Sequence, residues 1–268
     1  MEDDELAEHL TRTSRTFALA IPLLDAPLRR RVGLAYLLFR IADTLEDAEL
    51  YTRDERISAL TAFSSWLEGD ATALRHLSPP TRDRGCLALL ARADAVLDEA
   101  PAEARVHVAR TARGMASFAA RMTPEGHLEL ATVRDLRDYC YVVAGIVGEM
   151  LTDLFEAPRA LEEDARAFGE GLQLVNILKD APTDAREGRR YLPPGTPRTS
   201  IVALARADLR AADRYVEALR ACGAATGTTA FCTLARRLAE ATLDRLDVGE
   251  PKLLRDEVLT IFREVTGS

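Results

Sequence analysis

An all-α fold in one domain, residues 1–268, is what the chain predicts, on three observations. Ala, Leu, Arg, Glu and Asp dominate, while Gly and Pro are held to 15 and 12 residues, which is the composition of helices. No stretch alternates apolar and polar residues with the period of a strand, whereas apolar residues recur at helical spacing between start and stop signals. No repeat, low-complexity tract or long linker marks a boundary, and 268 residues of 47% hydrophobic content can bury one large core.

The elements follow in order. The acidic opening "MEDDELAEHL" starts a helix near 3–13, and Pro27, suited to a first helical position, opens one near 27–47. Thr52 and Glu55 form a capping box for 53–68. "LSPPTRD" at 77–83 precedes a helix near 82–98, and Pro101 opens 101–121. "TPEGH" at 123–127 breaks the chain again before Thr132 and Asp135 start 132–155. The next helix spans 161–181, because Pro182 lacks an amide donor and collides with the Leu178 carbonyl unless the helix kinks or ends there. "YLPPGTPRTS" at 191–200 leads to helices near 200–222, 228–246 and 254–265. Phe63, Trp66, Met115, Phe118 and Met122 read as core, and Asp135 and Asp138 as first-turn charges favoured by the helix dipole.

Charge excludes one class of partner. With 35 basic against 43 acidic residues, a net of −8, no basic field draws nucleic acid. Cys86, Cys140, Cys222 and Cys232 have no CxxC spacing, so neither a zinc site nor a disulfide framework is expected. No apolar run approaches the ~20 residues of a membrane span and the N-terminus is not that of a secretory signal, so a cytoplasmic protein is expected. A peripheral membrane contact through an apolar rim stays open.

Two polar strips stand out on otherwise apolar helices. Tyr36, Arg40, Asp43 and Asp47 share one face, with Glu46 beside Asp43. Three carboxylates on one face repel, and one arginine does not neutralise them. Gln173, Asn176, Asp180 and Asp184 recur at spacings of three, four and four among Leu172, Leu174, Val175, Ile177 and Leu178. Each strip alone is as well explained by a solvated face. Together, facing one another across a bundle, they would line an oxygen-rich cleft suited to Mg2+ and a diphosphate, with Arg40, Lys179, Arg186, Arg189 and Arg190 near enough in sequence to grip the anion.

Four motifs and the C-terminal region carry a resemblance to the squalene and phytoene synthase family. "SRTF", from Ser14 through Arg15 to Phe17, resembles the N-terminal S-x-[ST]-F segment, and "YLLFRIADTLED" at 36–47 is similar to the first aspartate-rich motif, D-T-x-E-D. "DYCYVVAGIVGEM" at 138–150 resembles the tyrosine helix Y-C-x-x-V-A-G-x-V-G, and "LQLVNILKDAPTDAREGRRYLP" at 172–193 the second motif, Q-x-x-N-I-x-[RK]-D-x-x-x-D. The C-terminal "FCTLARRLAEATL" and "PKLLRDEV" are more similar to squalene synthases, whereas Glu149 after Gly148 is more similar to phytoene and dehydrosqualene synthases.

The resemblance implies an isoprenoid synthase helical bundle with a central active-site cavity. Asp43, Glu46, Asp47, Asp180 and Asp184, with Asn176, match its metal site. Ser14, Arg15, Phe17, Tyr36, Arg40, Gln173, Asn176, Lys179 and Arg189 match substrate contacts, and Tyr139 matches the tyrosine near the reacting carbons. Ala144, Gly145 and Gly148 leave room either for prenyl chains or for close helix packing. The implied cofactors are Mg2+ and, if the product is squalene, NADPH, for which no GxGxxG loop is present. The implied substrates are prenyl diphosphates, farnesyl diphosphate first. The implied reaction is condensation of two farnesyl diphosphates through presqualene diphosphate to squalene. Phytoene or dehydrosqualene synthesis, a single-substrate terpene cyclase and a non-catalytic helical binding protein stay open as alternatives.

Overall fold

The computed structural model describes all residues except Arg15, His76, Pro251 and Ser268. Helices dominate the described residues, and these fall into two compact units, one of Met1–Pro22 with Ala26–Leu128, the other of Leu23–Asp25 with Glu129–Ser268.

The first unit contains α1 (Asp3–Thr13), α2 (Phe17–Ala20), α3 (Ala26–Glu46), α4 (Arg53–Leu67), α5 (Arg84–Leu90), α6 (Ala93–Glu99) and α7 (Ala102–Ala119). Leu34, Leu37, Leu38, Ile41 and Leu45 of α3 are almost completely buried. On α4, Phe63 and Trp66 are buried and stack with ring centroids 5.6 Å apart, and Met115, Phe118 and Met122 are buried as their spacing predicts. The α4 N-terminus carries the expected capping box: the Thr52 side chain accepts from the Glu55 amide and the Glu55 carboxylate accepts from the Thr52 amide. The helix expected at 82–98 is two helices. Arg92 leaves helical geometry between them and makes a two-pronged ion pair with Glu5 of α1, at 2.6 and 3.1 Å.

The second unit contains α8 (Val133–Cys140), α9 (Ile146–Leu154), α10 (Glu162–Arg186), α11 (Arg198–Ala221), α12 (Thr226–Asp247) and α13 (Arg255–Thr266). The helix expected at 132–155 is interrupted by a π-helical turn, Tyr141–Gly145, closed by the Ile146 amide donating to the Tyr141 carbonyl five residues back. The glycines beside this turn serve close packing. A Cβ on Gly148 would lie 2.0 Å from the Ala165 carbonyl oxygen, and one on Gly169 would lie 2.1 Å from that of Ala144. Beside Gly145 the space is filled by the side chains of Tyr141, Arg166 and Glu170, so its missing Cβ accommodates α10. Glu149 is likewise buried, in an ion pair with Arg166 at 2.7 Å.

One boundary is corrected with a clear physical cause. The helix expected to stop at 181 continues through Pro182 to Arg186. A further small departure from the all-helical expectation is a two-residue strand, Arg189–Arg190, whose Arg190 carbonyl accepts from the Leu130 amide at 3.0 Å. Among the described residues no helix is long and apolar enough to cross a membrane.

Candidate active site

In the first unit the structure brings the N-terminal segment onto the acidic strip of α3. The Ser14 hydroxyl accepts from the Phe17 amide, the first of α2, at 2.9 Å. The Phe17 ring then lies 5.4 Å from that of Tyr36, whose hydroxyl donates to the Thr13 carbonyl at 3.1 Å. Burial raises the Tyr36 pKa, which keeps the hydroxyl in its donor form. Arg15, expected as a diphosphate contact, lies outside the described residues.

One turn on, Arg40 approaches Asp43 at 3.9 Å and points its Nη2 toward the Cys86 sulfur at 3.6 Å. Its Nε is buried without a hydrogen-bond partner. Asp43 keeps 42% of its side-chain surface open, yet burial outweighs the pull of Arg40 and, with a smaller push from the Asp47 charge, raises its carboxyl to about 7. The carboxyl is therefore reachable by a small ligand but ringed by protein. Asp47 is exposed and Glu46 buried, so the three acids of the motif do not share one environment. Behind them, Arg56 of α4 donates to the Ala48 carbonyl at 2.8 Å and ties down the chain leaving α3.

In the second unit, α10 presents the other strip. Lys179 Nζ lies 3.1 Å from Asn176 Oδ1 and 3.2 Å from Asp180 Oδ2, so three of the expected residues meet, with Gln173 half-buried on the same helix. Asp184 lines a recess of about 200 Å3 with Ile177, Ala181, Arg189, Arg190 and Tyr191. Arg189 is largely covered and pairs with Glu187, whereas Arg186 folds back onto its own helix, donating to the Pro182 carbonyl at 3.1 Å.

Tyr139, in the last turn of α8, is buried and stacks on Tyr191, with centroids 4.7 Å apart and the hydroxyls 3.2 Å from one another. Sequence reasoning missed Tyr191, although "RRYLP" places it seven residues after Asp184. It also missed the ionic cluster beneath this region. Arg137 of α8 bridges Glu170 of α10, at 2.6 Å, and Asp208 of α11, and both carboxyls are buried. Burial outweighs the arginine and raises both, Glu170 to about 7. Among the described residues, no group of three His, Cys, Asp or Glu side chains is placed to hold a metal ion.

Comparison with solved structures defines the class first. The chain shares its all-α isoprenoid synthase fold with TcSQS in complex with a ligand, at a TM-score of 0.75 and 23% identity over 98% of this chain and 86% of that chain. It shares it also with the squalene synthase HpnC from Alicyclobacillus acidocaldarius, at 0.65 and 21% over 92% and 95%. Residues 10–195 match the family described as squalene/phytoene synthase, and the chain belongs to that family. Among similar curated proteins are squalene synthases of Mycosarcoma maydis, 31% identical over 69% of this chain and 34% of that protein, and of Bos taurus, 31% over 70% and 46%. That of Schizosaccharomyces pombe is 28% identical over 72% and 46%. The matched regions thus span less than half the length of these relatives.

Proposed function

We propose that the chain is a single-domain, cytoplasmic, Mg2+-dependent prenyltransferase that joins two farnesyl diphosphates head to head, through presqualene diphosphate, to squalene. The observation that carries this reading is that, in a chain of this family, each of two acid-bearing helices sets a carboxylate beside a cation. Asp43 stands with Arg40, and Asp180 with Lys179.

The donors fit the implied ion. Asp43, Asp47, Asp180 and Asp184 are hard oxygen ligands, and Mg2+ characteristically takes one or two carboxylates and leaves its other positions to water and phosphate oxygens. Burial raises the Asp43 pKa despite Arg40, so the ionised carboxylate is short of solvation there, and a divalent cation would stabilise that charged form. Asp43 with Asp47 on α3, and Asp180 with Asp184 on α10, would each offer an ion one or two carboxylates, with Glu46 and Asn176 as the further ligands of each motif. When bound, Mg2+ supplies positive charge to the departing diphosphate.

The chain's own groups do the rest. Arg40, whose Nε is buried and unpartnered, and the covered Arg189 grip diphosphate oxygens, joined by Lys179 and Gln173. Ser14, Phe17 and Tyr36, which meet beside the α3 strip, would contact the substrate on that side. Departure of diphosphate leaves an allylic cation, and the Tyr139 hydroxyl, which is buried and hydrogen-bonded to Tyr191, would steer charge and a proton at the reacting carbons. NADPH, if bound, would supply the hydride that reduces the rearranged cation to squalene, leaving NADP+. Incubation of the purified protein with farnesyl diphosphate and Mg2+ should yield presqualene diphosphate without NADPH and squalene with it. A product profile indifferent to NADPH, or a cyclic terpene from one substrate, defeats the assignment.

A further inference from the structure

Helix α10 should break at Pro182 and does not. In an unbroken helix the amide of residue 182 donates to the carbonyl of residue 178; proline has no such hydrogen, and its ring crowds that carbonyl. Leu178 is wholly buried, so its carbonyl would be left without an intrahelical donor on a covered turn. Arg198 fills this place. Its Nη2 donates to the Leu178 carbonyl at 2.8 Å across twenty residues of sequence, a charge-assisted bond in place of the lost amide bond.

The position of Arg198 in its own helix agrees with this role. It is the first residue of α11, directly after Pro197, where the helix dipole disfavours a cation. Nothing in α11 itself calls for an arginine there. The carbonyl it binds lies two residues before Asp180, and the proline it compensates lies between Asp180 and Asp184. A kink at Pro182 would swing Asp184 and the Arg189 segment away from Asp180.

We infer that Arg198 is a positioning residue: by giving the Leu178 carbonyl the hydrogen bond that Pro182 removed, it holds Asp184 in helical register with Asp180. The inference rests on the reading of those two aspartates as one diphosphate-holding pair.

The test is a cycle of four proteins, the parent, Arg198→Met, Pro182→Ala and the double variant. Two quantities are measured: calorimetric binding of Mg2+ with inorganic diphosphate, and amide hydrogen exchange over residues 179–187. Arg198→Met should weaken binding about tenfold, as loss of a group that orients metal ligands commonly does, and should speed exchange at 183–187. Pro182→Ala alone should change neither. The double variant should recover both, because the substituted alanine again has an amide to donate to the Leu178 carbonyl, and exchange elsewhere in α10 and α11 should stay parental in Arg198→Met, whereas a general destabilisation would speed it throughout. Parental binding and exchange in Arg198→Met, or a double variant as impaired as the single one, overturns the inference. If Arg198→Met alone does not fold, recovery of folding and binding in the double variant supports it and continued failure overturns it. If the parent itself binds no Mg2+ with diphosphate, the functional reading falls. The exchange cycle then decides whether Arg198 sets the helix register.

Discussion

The hydroxyls of Tyr139 and Tyr191 lie 3.2 Å apart between stacked, buried rings, so each ring fixes the other and the oxygens are presented as a pair. Two buried phenols in register are costly unless their hydroxyls are used, by one another or by a ligand. Tyr191 of the pair lines the recess that Asp184 also lines.

Replacing Tyr139 by Phe keeps the stacked ring and removes one hydroxyl. The chemical step should slow by ~10²–10⁴-fold, as for loss of a positioned proton-transfer group, while the melting temperature and binding of Mg2+ with diphosphate stay near parental values. Single-turnover rates with farnesyl diphosphate, read beside binding isotherms, check this. Equal loss of binding and rate would assign Tyr139 to substrate retention instead.

Asp43→Asn and Asp180→Asn should each lose most activity and remain folded, since neither side chain is a packing element. For Asp43 the free protein should be no less stable and can gain stability at alkaline pH. Its charged form is disfavoured by burial and by Asp47, and the amide removes that charge. Product assays at limiting Mg2+ and thermal melts without metal provide the check. Parental turnover in both variants sinks the metal assignment.

Much of this was legible in the sequence because it is local. The capping box at Thr52 needs only four residues and forms as its spacing predicts, and the helix start read at Thr132 and Asp135 is closed by a capping box as well. The acidic strips were legible for the same reason, since helical spacing alone sets Asp43 against Asp47. The misplaced boundaries have non-local causes. The break at Arg92 accompanies a pairing with Glu5, 87 residues away, and the continuation past Pro182 depends on Arg198. Tyr191 shares no helix with Tyr139, so no periodicity could pair them. Gly148 stayed open between packing and substrate room until the carbonyl facing it was placed.

That contact predicts strong sensitivity to one methyl group. Gly148→Ala puts a Cβ against the Ala165 carbonyl at a distance no real Cβ adopts, and the neighbour is backbone that cannot rotate away. α9 must shift from α10, at a cost of about 1–3 kcal/mol or more by the measure of overpacked cores. Denaturant unfolding should show the loss, and an unchanged midpoint would mean that the two helices already sit further apart.

Binding should couple to stability. Mg2+ with inorganic diphosphate should raise the melting temperature more than either alone, because the anion brings oxygens that the metal needs and the metal neutralises charge that the aspartates repel. At a hundredfold excess over its dissociation constant a ligand adds ~2.7 kcal/mol. The double variant Asp43→Asn, Asp180→Asn should lose the shift. An equal shift in that variant would place the binding elsewhere.

The cluster of Arg137, Glu170 and Asp208 predicts how stability depends on pH. Glu170 titrates near 7 in the folded chain because burial outweighs Arg137, while in the unfolded chain it titrates in the ordinary carboxylate range. Below that range both states hold the proton and the group makes no difference to the pH slope. As pH rises from there toward 7, the unfolded chain releases the proton and the folded chain keeps it, so the folded state binds more protons and stability must fall. Asp208, raised by the same burial, adds to the fall in the same direction. Glu170→Gln keeps a polar partner for Arg137 and abolishes this titration. Melting temperatures of the parent should therefore drop between pH 5 and 8 relative to those of Glu170→Gln, with the two curves closest at the acid end. Curves that run parallel across that interval would mean that Arg137 holds Glu170 ionised in the folded protein and that the ion pair, not burial, dominates the site.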